Sequence, residues 1–212
     1  MKILSIETSS QRGSVAYIEN SDVRYEYLFK SADIAGELTG KVERVIADSG
    51  TAPGGFDRIV VSTGPGSWTG SRLGLSFAKG LAMGDSSRLY VVGAHEGLLF
   101  SAKDLGIPVV CAVNAYGGCF YTVRFNVRFN YRRGFRVRRV TREKLFKALS
   151  VEELLLVGPG TLDLLEFYGG LPGNVNLSPS LLYPSAGLNG MLACEKMRRA
   201  IPSPPALIHY ER

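Results

Sequence analysis

From Lys2 to Phe29 the chain reads as three short strands in succession, and only then does its periodicity turn helical. Ile3, Leu4 and Ile6 belong to a first strand over 2–8 that ends on polar residues. Gln11-Arg12-Gly13 and Asn20-Ser21-Asp22 are turn sequences, separating a second strand over 14–19 and a third over 23–29. A dinucleotide-binding fold passes from its first strand directly into a helix, so this opening argues against it. An amphipathic helix is predicted over about 33–49, with Ile34, Leu38, Val42, Val45 and Ile46 at helical spacing behind an Asp33 cap. Thr51-Ala52-Pro53-Gly54-Gly55 breaks it. A strand over 58–63, a glycine-rich loop over 64–70, a helix over about 71–83 and a strand over 90–93 complete the order β-β-β-α-β-α-β.

The second half repeats this order imperfectly. Strands are predicted over 107–114, 119–130 and 135–140, then a short helix over 143–149, a strand over 154–157, and helices over 161–168 and about 184–199. The expected fold is therefore α/β with two tightly packed lobes, 1–100 and 101–212, the second smaller and degenerate. No low-complexity linker divides them. A three-stranded meander followed by αβαβ, used twice, is the architecture of the actin, sugar-kinase and Hsp70 (ASKHA, ribonuclease H-like) superfamily. The chain's 212 residues, 45% hydrophobic and 21% charged, suffice for a core and exclude wholesale disorder. No apolar run reaches membrane length, and the first residues turn acidic too soon for a secretory signal, so a cytoplasmic location is expected.

The three cysteines (Cys111, Cys119, Cys194) form no CxxC pair and read as buried free thiols. The two histidines, His95 and His209, sit in no HxxxH or HExxH pattern. No metal site and no catalytic residue is expected from them.

Two segments remain as candidates for chemistry. In an active member of such a superfamily the turn after the first strand carries an Asp that helps to hold Mg²⁺, with backbone N–H groups facing ATP phosphates. Here the turn reads Glu7-Thr8-Ser9, a vestigial nucleotide site or a simple strand end. The glycine-rich loop lacks the Lys-Ser/Thr of a P-loop and misses GxGxxG by one position. Its other feature is a small-residue stripe, Gly70, Gly74, Ala78 and Ala82, matched in the first helix by Ala32, Gly36 and Gly40. A glycine inside a helix costs about 1 kcal/mol relative to alanine. Close approach of another helix, or packing on the protein's own sheet, would offset that cost.

Gly64-Pro65-Gly66-Ser67-Trp68-Thr69-Gly70-Ser71-Arg72-Leu73-Gly74 with Ala78-Lys79-Gly80-Leu81-Ala82 resembles the signature of the TsaB (YeaZ) family, GPGSFTGxRxG…AKGLA. Ile6-Glu7-Thr8-Ser9 is similar to its DTST opening, with Glu for Asp, and Asn114-Ala115-Tyr116-Gly117-Gly118-Cys119-Phe120-Tyr121 to its DARRGEVY segment, with the acid lost. Tyr183-Pro184-Ser185-Ala186 and the terminal Tyr210-Glu211-Arg212 match only loosely. The resemblance implies a non-catalytic partner in making N6-threonylcarbamoyladenosine (t6A) at position 37 of tRNA. The catalytic paralogue (TsaD-like) binds metal through an HxxxH pair, which the first helix here lacks, and is supported through the N-terminal lobe. It further implies an ATPase subunit (TsaE-like) as partner, a homodimer when alone, tRNA contacted at most indirectly, no membrane, and no cofactor except ATP or ADP with Mg²⁺ in the complex. The helices about 33–49 and 71–83 would form the interface. The rival reading is a small ATP-dependent kinase or hydrolase using Glu7 and the 64–70 loop.

The net charge of +6 is local. Residues 121–142 carry eight arginines and no Asp or Glu, leaving the rest of the chain at −2. Over 121–131 apolar residues alternate with polar and basic ones, predicting one strand with a basic face. Arg124, Arg128 and Arg132 on that face read either as contacts to tRNA phosphates or an acidic partner, or as a solvated sheet face.

Overall fold

Antiparallel hairpins followed by parallel crossovers build two five-stranded sheets from one repeated order of elements. The computed structural model describes residues 1–30, 33–126, 131–132 and 135–206. The first sheet comprises β1 (Lys2–Glu7), β2 (Arg12–Glu19), β3 (Asp22–Lys30), β4 (Arg58–Ser62) and β5 (Leu89–Val92), in the order β3-β2-β1-β4-β5. β1, β2 and β3 pair antiparallel; β4 and β5 run parallel to β1. The crossovers are α1 (Ile34–Ser49) and α2 (Trp68–Leu81). After α3 (Ala94–Ser101), the second sheet comprises β6 (Val109–Ala115), β7 (Cys119–Phe125), β8 (Arg138–Thr141), β9 (Leu154–Val157) and β10 (Val175–Leu177). Its order, β8-β7-β6-β9-β10, repeats the first, with α4 (Arg142–Leu149) and α5 (Gly160–Tyr168) as crossovers. The chain then enters α6 (Ala186–Arg198).

The predicted order is observed, with three differences. The strand expected over 119–130 ends at Phe125, and residues 127–130 lie outside the described residues. The strand expected over 135–140 starts only at Arg138. α3 and β10 were not foreseen. Local chemistry sets the helix ends: the Asp33 carboxylate accepts from Gly36 N at 3.1 Å, the Ser67 hydroxyl caps α2, and Gly50 ends α1 at φ +60°.

The helices do not stay with their own sheets. α1 and α2 cover one face of the first sheet, where Leu38, Val42, Val45, Leu75 and Ala78 meet Leu4, Ile6, Val15 and Val61. The opposite face (Ile3, Ala16, Ile18, Val60) is covered by α6 through Ala186, Leu192 and Ala193. α3 instead packs on the second sheet, with Leu98 and Leu99 against Val109, Cys111 and Val123. A cut at residue 100 thus separates the sheets, but α3 and α6 each cross to the other one. They meet at a buried ion pair, Lys196 Nζ to Glu96 Oε2 at 2.9 Å. Cys111, Cys119 and Cys194 are free thiols. Among the described residues no helix is long and apolar enough to cross a membrane.

Candidate functional site

Residues at or just beyond the ends of β1, β4, β6 and β9 line one cleft of about 490 Å³, at the carboxyl ends of the central strands where α/β sheets place ligands. Ser9, Ser10 and Gln11 come from the β1 turn, Gly66 and Ser67 from the glycine-rich loop, Asn114 from the end of β6, and Pro159, Asp163 and Glu166 from the start and body of α5. The turn and the loop are clasped together: Ser67 N donates to Ser9 O at 2.6 Å and Thr8 Oγ1 to Gly70 O at 2.7 Å. A Cβ at Gly66 would lie 2.1 Å from Ser9 O, so only glycine permits this approach.

Glu7 does not reach the cleft. It is fully buried; Oε1 accepts from Ser9 N and Ser9 Oγ, both at 2.5 Å, and Oε2 accepts from Asn189 Nδ2 of α6 at 2.8 Å. Burial pushes its carboxyl above the ordinary value, against the lowering effect of the neighbouring Ser62, Ser9 and Asn189. Thr8 and Ser9 are buried as well. Of the two readings of Glu7, the geometry is that of a strand-end residue bonded to its turn, here a staple between β1 and α6. The carboxylates that do line the cleft, Asp163 and Glu166, were missed from sequence, although their i, i+3 spacing on an amphipathic helix could have placed them on one face. Asp163 is held by Arg142 at 3.0 Å. Among the described residues the lining holds no Lys or Arg.

The proposed interface stripe on α2 is corrected. Gly70, Gly74, Ala78 and Ala82 all face the protein's own interior. A Cβ at Gly70 would meet Thr8 O at 2.0 Å and one at Gly74 would meet Thr8 Oγ1 at 2.2 Å. These small residues let α2 lie against the β1 turn, which is the other reading of the stripe. On α1 the outcome differs. Gly36 and Gly40 are exposed; Gly36 sits close under its own Asp33 cap, whereas Gly40 has nothing within 4 Å of a Cβ position. Ala32 lies outside the described residues. The outward face of α2 carries half-exposed Trp68, with the Arg72 guanidinium 3.6 Å over its ring, and Gly80, again with open space.

Two of the three candidate arginines, Arg124 and Arg132, are among the described residues. Arg124 lies on β7, opposite in facing to Val123 and Phe125 as the alternation predicted, and pairs with Glu152. Arg132 is exposed and falls beyond the strand, next to Tyr131, whose ring packs on Phe100. Arg128 lies outside the described residues.

A family model described as "TsaD: tRNA N6-adenosine threonylcarbamoyltransferase" matches residues 31–154, more than half of the chain. The chain belongs to this family. The TsaB protein of Escherichia coli, a tRNA threonylcarbamoyladenosine biosynthesis protein, is 31% identical over 129 residues, covering 59% of this chain and 55% of the relative. The Bacillus subtilis TsaB is 29% identical over 123 residues, 58% of this chain and 54% of its own length. The chain's match thus spans about half the length of these curated relatives. YeaZ from Pseudomonas aeruginosa shares the fold at TM-score 0.78, with 20% identity and 99% of each chain covered. The TsaB (YeaZ) resemblance read from the glycine-rich loop and the ASKHA-type fold read from the element order therefore both hold. The family also accounts for the clasp just described, since the signature segment, running from the loop into α2, supplies Gly66, Ser67, Gly70 and Gly74, the residues that touch the β1 turn.

Proposed function

We propose that this chain is a non-catalytic partner subunit in the synthesis of t6A at adenosine 37 of tRNA. In this reading the exposed faces of α1 and α2 receive the catalytic, TsaD-like paralogue, a TsaE-like ATPase subunit joins the assembly, the chain pairs with itself when alone, and it works in the cytoplasm. The relatives named for threonylcarbamoyladenosine biosynthesis support the process. The observation that carries the non-catalytic role is Glu7: the acid that would face a metal is buried, with both oxygens taken up by Ser9 and Asn189. The cleft itself adds Asp163 and Glu166 with no Lys or Arg among its described lining residues, a set that does not fit a nucleotide triphosphate held by this chain alone. ATP or ADP with Mg²⁺ belongs, in this reading, only to the complex.

Docking on α1 and α2 is supported by Gly40 and Gly80. Each sits inside a helix with open space where a Cβ would be, so the cost of about 1 kcal/mol relative to alanine has no offset among the described residues. A helix laid across them would supply it. Co-purification with the catalytic paralogue tests this. Gly40→Leu and Gly80→Leu are expected to leave the melting temperature of the chain unchanged or raised, while the complex is lost on size exclusion. Complexes that survive both changes would remove α1 and α2 as the docking face. Magnesium-dependent ATP turnover by the isolated chain, abolished in Asn114→Ala, would overturn the non-catalytic role.

A further inference from the structure

The described arginines of 121–142 have separable fates. Arg124 is neutralised by Glu152, Arg139 donates to Tyr116 O at 2.9 Å, and Arg142 holds Asp163 while its guanidinium lies 4.1 Å over the Phe167 ring. Arg136 and Arg138 do something else. Together with Lys144 of α4 they rim a concavity of about 620 Å³ on the face of the second sheet that α4 half covers. All three are exposed, and none makes an ion pair among the described residues. The floor between them is apolar: Val110, Val140, Leu145 and Leu149. Register explains the convergence. Thr122 pairs with Arg138 and Phe120 with Val140, so alternate residues of β7 and β8 point to the α4 side, and Lys144 stands in the first turn of α4 above them.

A rim of uncompensated cations around an apolar floor of this size suits a ligand that is anionic at one end and flat and apolar at the other. Guanidinium groups match phosphate oxygens in a bidentate manner, and an aliphatic floor accepts the face of a base. We propose that the β7–β8–α4 concavity binds RNA, seating one unpaired nucleotide with its base on the Val110–Leu145 floor and its flanking phosphates on Arg136, Arg138 and Lys144. The choice of RNA over a free nucleotide rests on the function proposed above; the pocket's chemistry does not. This site is separate from the inter-lobe cleft and from the outward faces of α1 and α2; Arg124, paired with Glu152, also lines it.

The test is fluorescence anisotropy of the full chain with a labelled tRNA anticodon stem-loop, titrated at several salt concentrations. Arg136→Ser/Arg138→Ser/Lys144→Ser is expected to weaken binding at least 10-fold at low salt. It should also reduce the log–log salt slope by about 2, at roughly 0.7 per single-strand phosphate contact. Ala148→Glu, at an exposed position on the pocket wall, should weaken binding with the three cations intact. A charge-matched control, Arg24→Ser/Lys103→Ser/Arg198→Ser, should change it less than 3-fold. Circular dichroism melts confirm that each variant folds. Equal losses in control and pocket variants would overturn the site in favour of net charge, and unchanged affinity in the pocket variant would overturn it outright. Binding of AMP that is lost in the pocket variant, with no binding of the stem-loop, would overturn RNA as the ligand. Complex formation with the catalytic paralogue is scored separately, so RNA binding and partner docking fail independently.

Discussion

Glu7 stands where an acid would face a metal in an active member of the superfamily, and its chemistry here is that of a buried staple. Burial is the largest influence on it and raises its pKa above 4.5. Between that ordinary value and the raised one, the folded chain keeps a proton that the unfolded chain has released. Folding stability therefore falls as pH rises through this window, and the loss is complete above the raised pKa. Glu7→Gln removes the ionisation while leaving an amide oxygen for Ser9. The difference in unfolding free energy between Glu7→Gln and the wild type should shift in favour of the variant between pH 4 and pH 7, as read by urea titrations. A difference independent of pH would show that Glu7 ionises normally. Glu7→Ala should cost roughly 2–4 kcal/mol at pH 4, because Ser9 and Asn189 lose their acceptor inside the core, and the cost should shrink as pH rises because alanine, like glutamine, does not ionise. The sequence showed an acid at the end of the first strand but not where its side chain lay, because Asn189, its partner, is 182 residues away.

Helix stripes show the same limit one level up. The spacing of Gly70, Gly74, Ala78 and Ala82 was legible, and so was the close approach it permits. What approaches was not: Thr8 occupies the groove that a second helix was expected to fill. α3 was missed for a related reason. Residues 94 to 100 are buried all round, between the second sheet and α6, so no polar face produces a helical period in the sequence. Its contact with α6 also conceals a charge pair. Lys196 Nζ lies 3.0 Å and 2.9 Å from the two Glu96 oxygens, and Glu96 Oε2 accepts from Gly93 N, closing the α3 N-terminus. Burial works to raise the Glu96 carboxyl, but the neighbouring Lys196 charge holds it below its ordinary value. Removing the cation alone strands a buried carboxylate, so Lys196→Met should cost about 3–5 kcal/mol. Glu96→Gln/Lys196→Met should recover most of that loss, because neither partner then carries a charge. Denaturant midpoints of the two single variants and the double decide it; additive losses would show that the two side chains are not coupled.

At the scale of the molecule, the repeated order of strands and helices was readable, because meander turns and parallel apolar runs leave local signatures. The exchange of helices between sheets left none, since it concerns which surface a helix covers rather than where the helix lies in the chain. The exchange has a consequence for folding. Residues 1–100 contain the whole first sheet, yet one face of it, with Ile3, Ala16, Ile18, Val60, Tyr90 and Val92, is covered by α6. The polar ties are likewise remote: Ala186 N donates to Ser14 Oγ at 2.8 Å and Tyr90 Oη to Ile201 O at 2.9 Å. A fragment of residues 1–100 therefore exposes one apolar sheet face, and carries α3 without the sheet it packs on. Such a fragment should aggregate, or bind a hydrophobic dye without a cooperative melt. The intact chain should unfold in one transition, with calorimetric and van't Hoff enthalpies in agreement, because neither sheet is covered without the other lobe's helix. Joining residues 185–206 to the fragment 1–93 through a flexible linker supplies α6 and removes the orphaned α3, so this chimera should regain a cooperative melt. Cooperative folding of 1–100 by itself, or two resolved transitions in the whole chain, would mean that the crossed helices decorate lobes that are already stable. Failure of both the fragment and the chimera would place the missing stability in the contact between α3 and α6, which only the full chain contains.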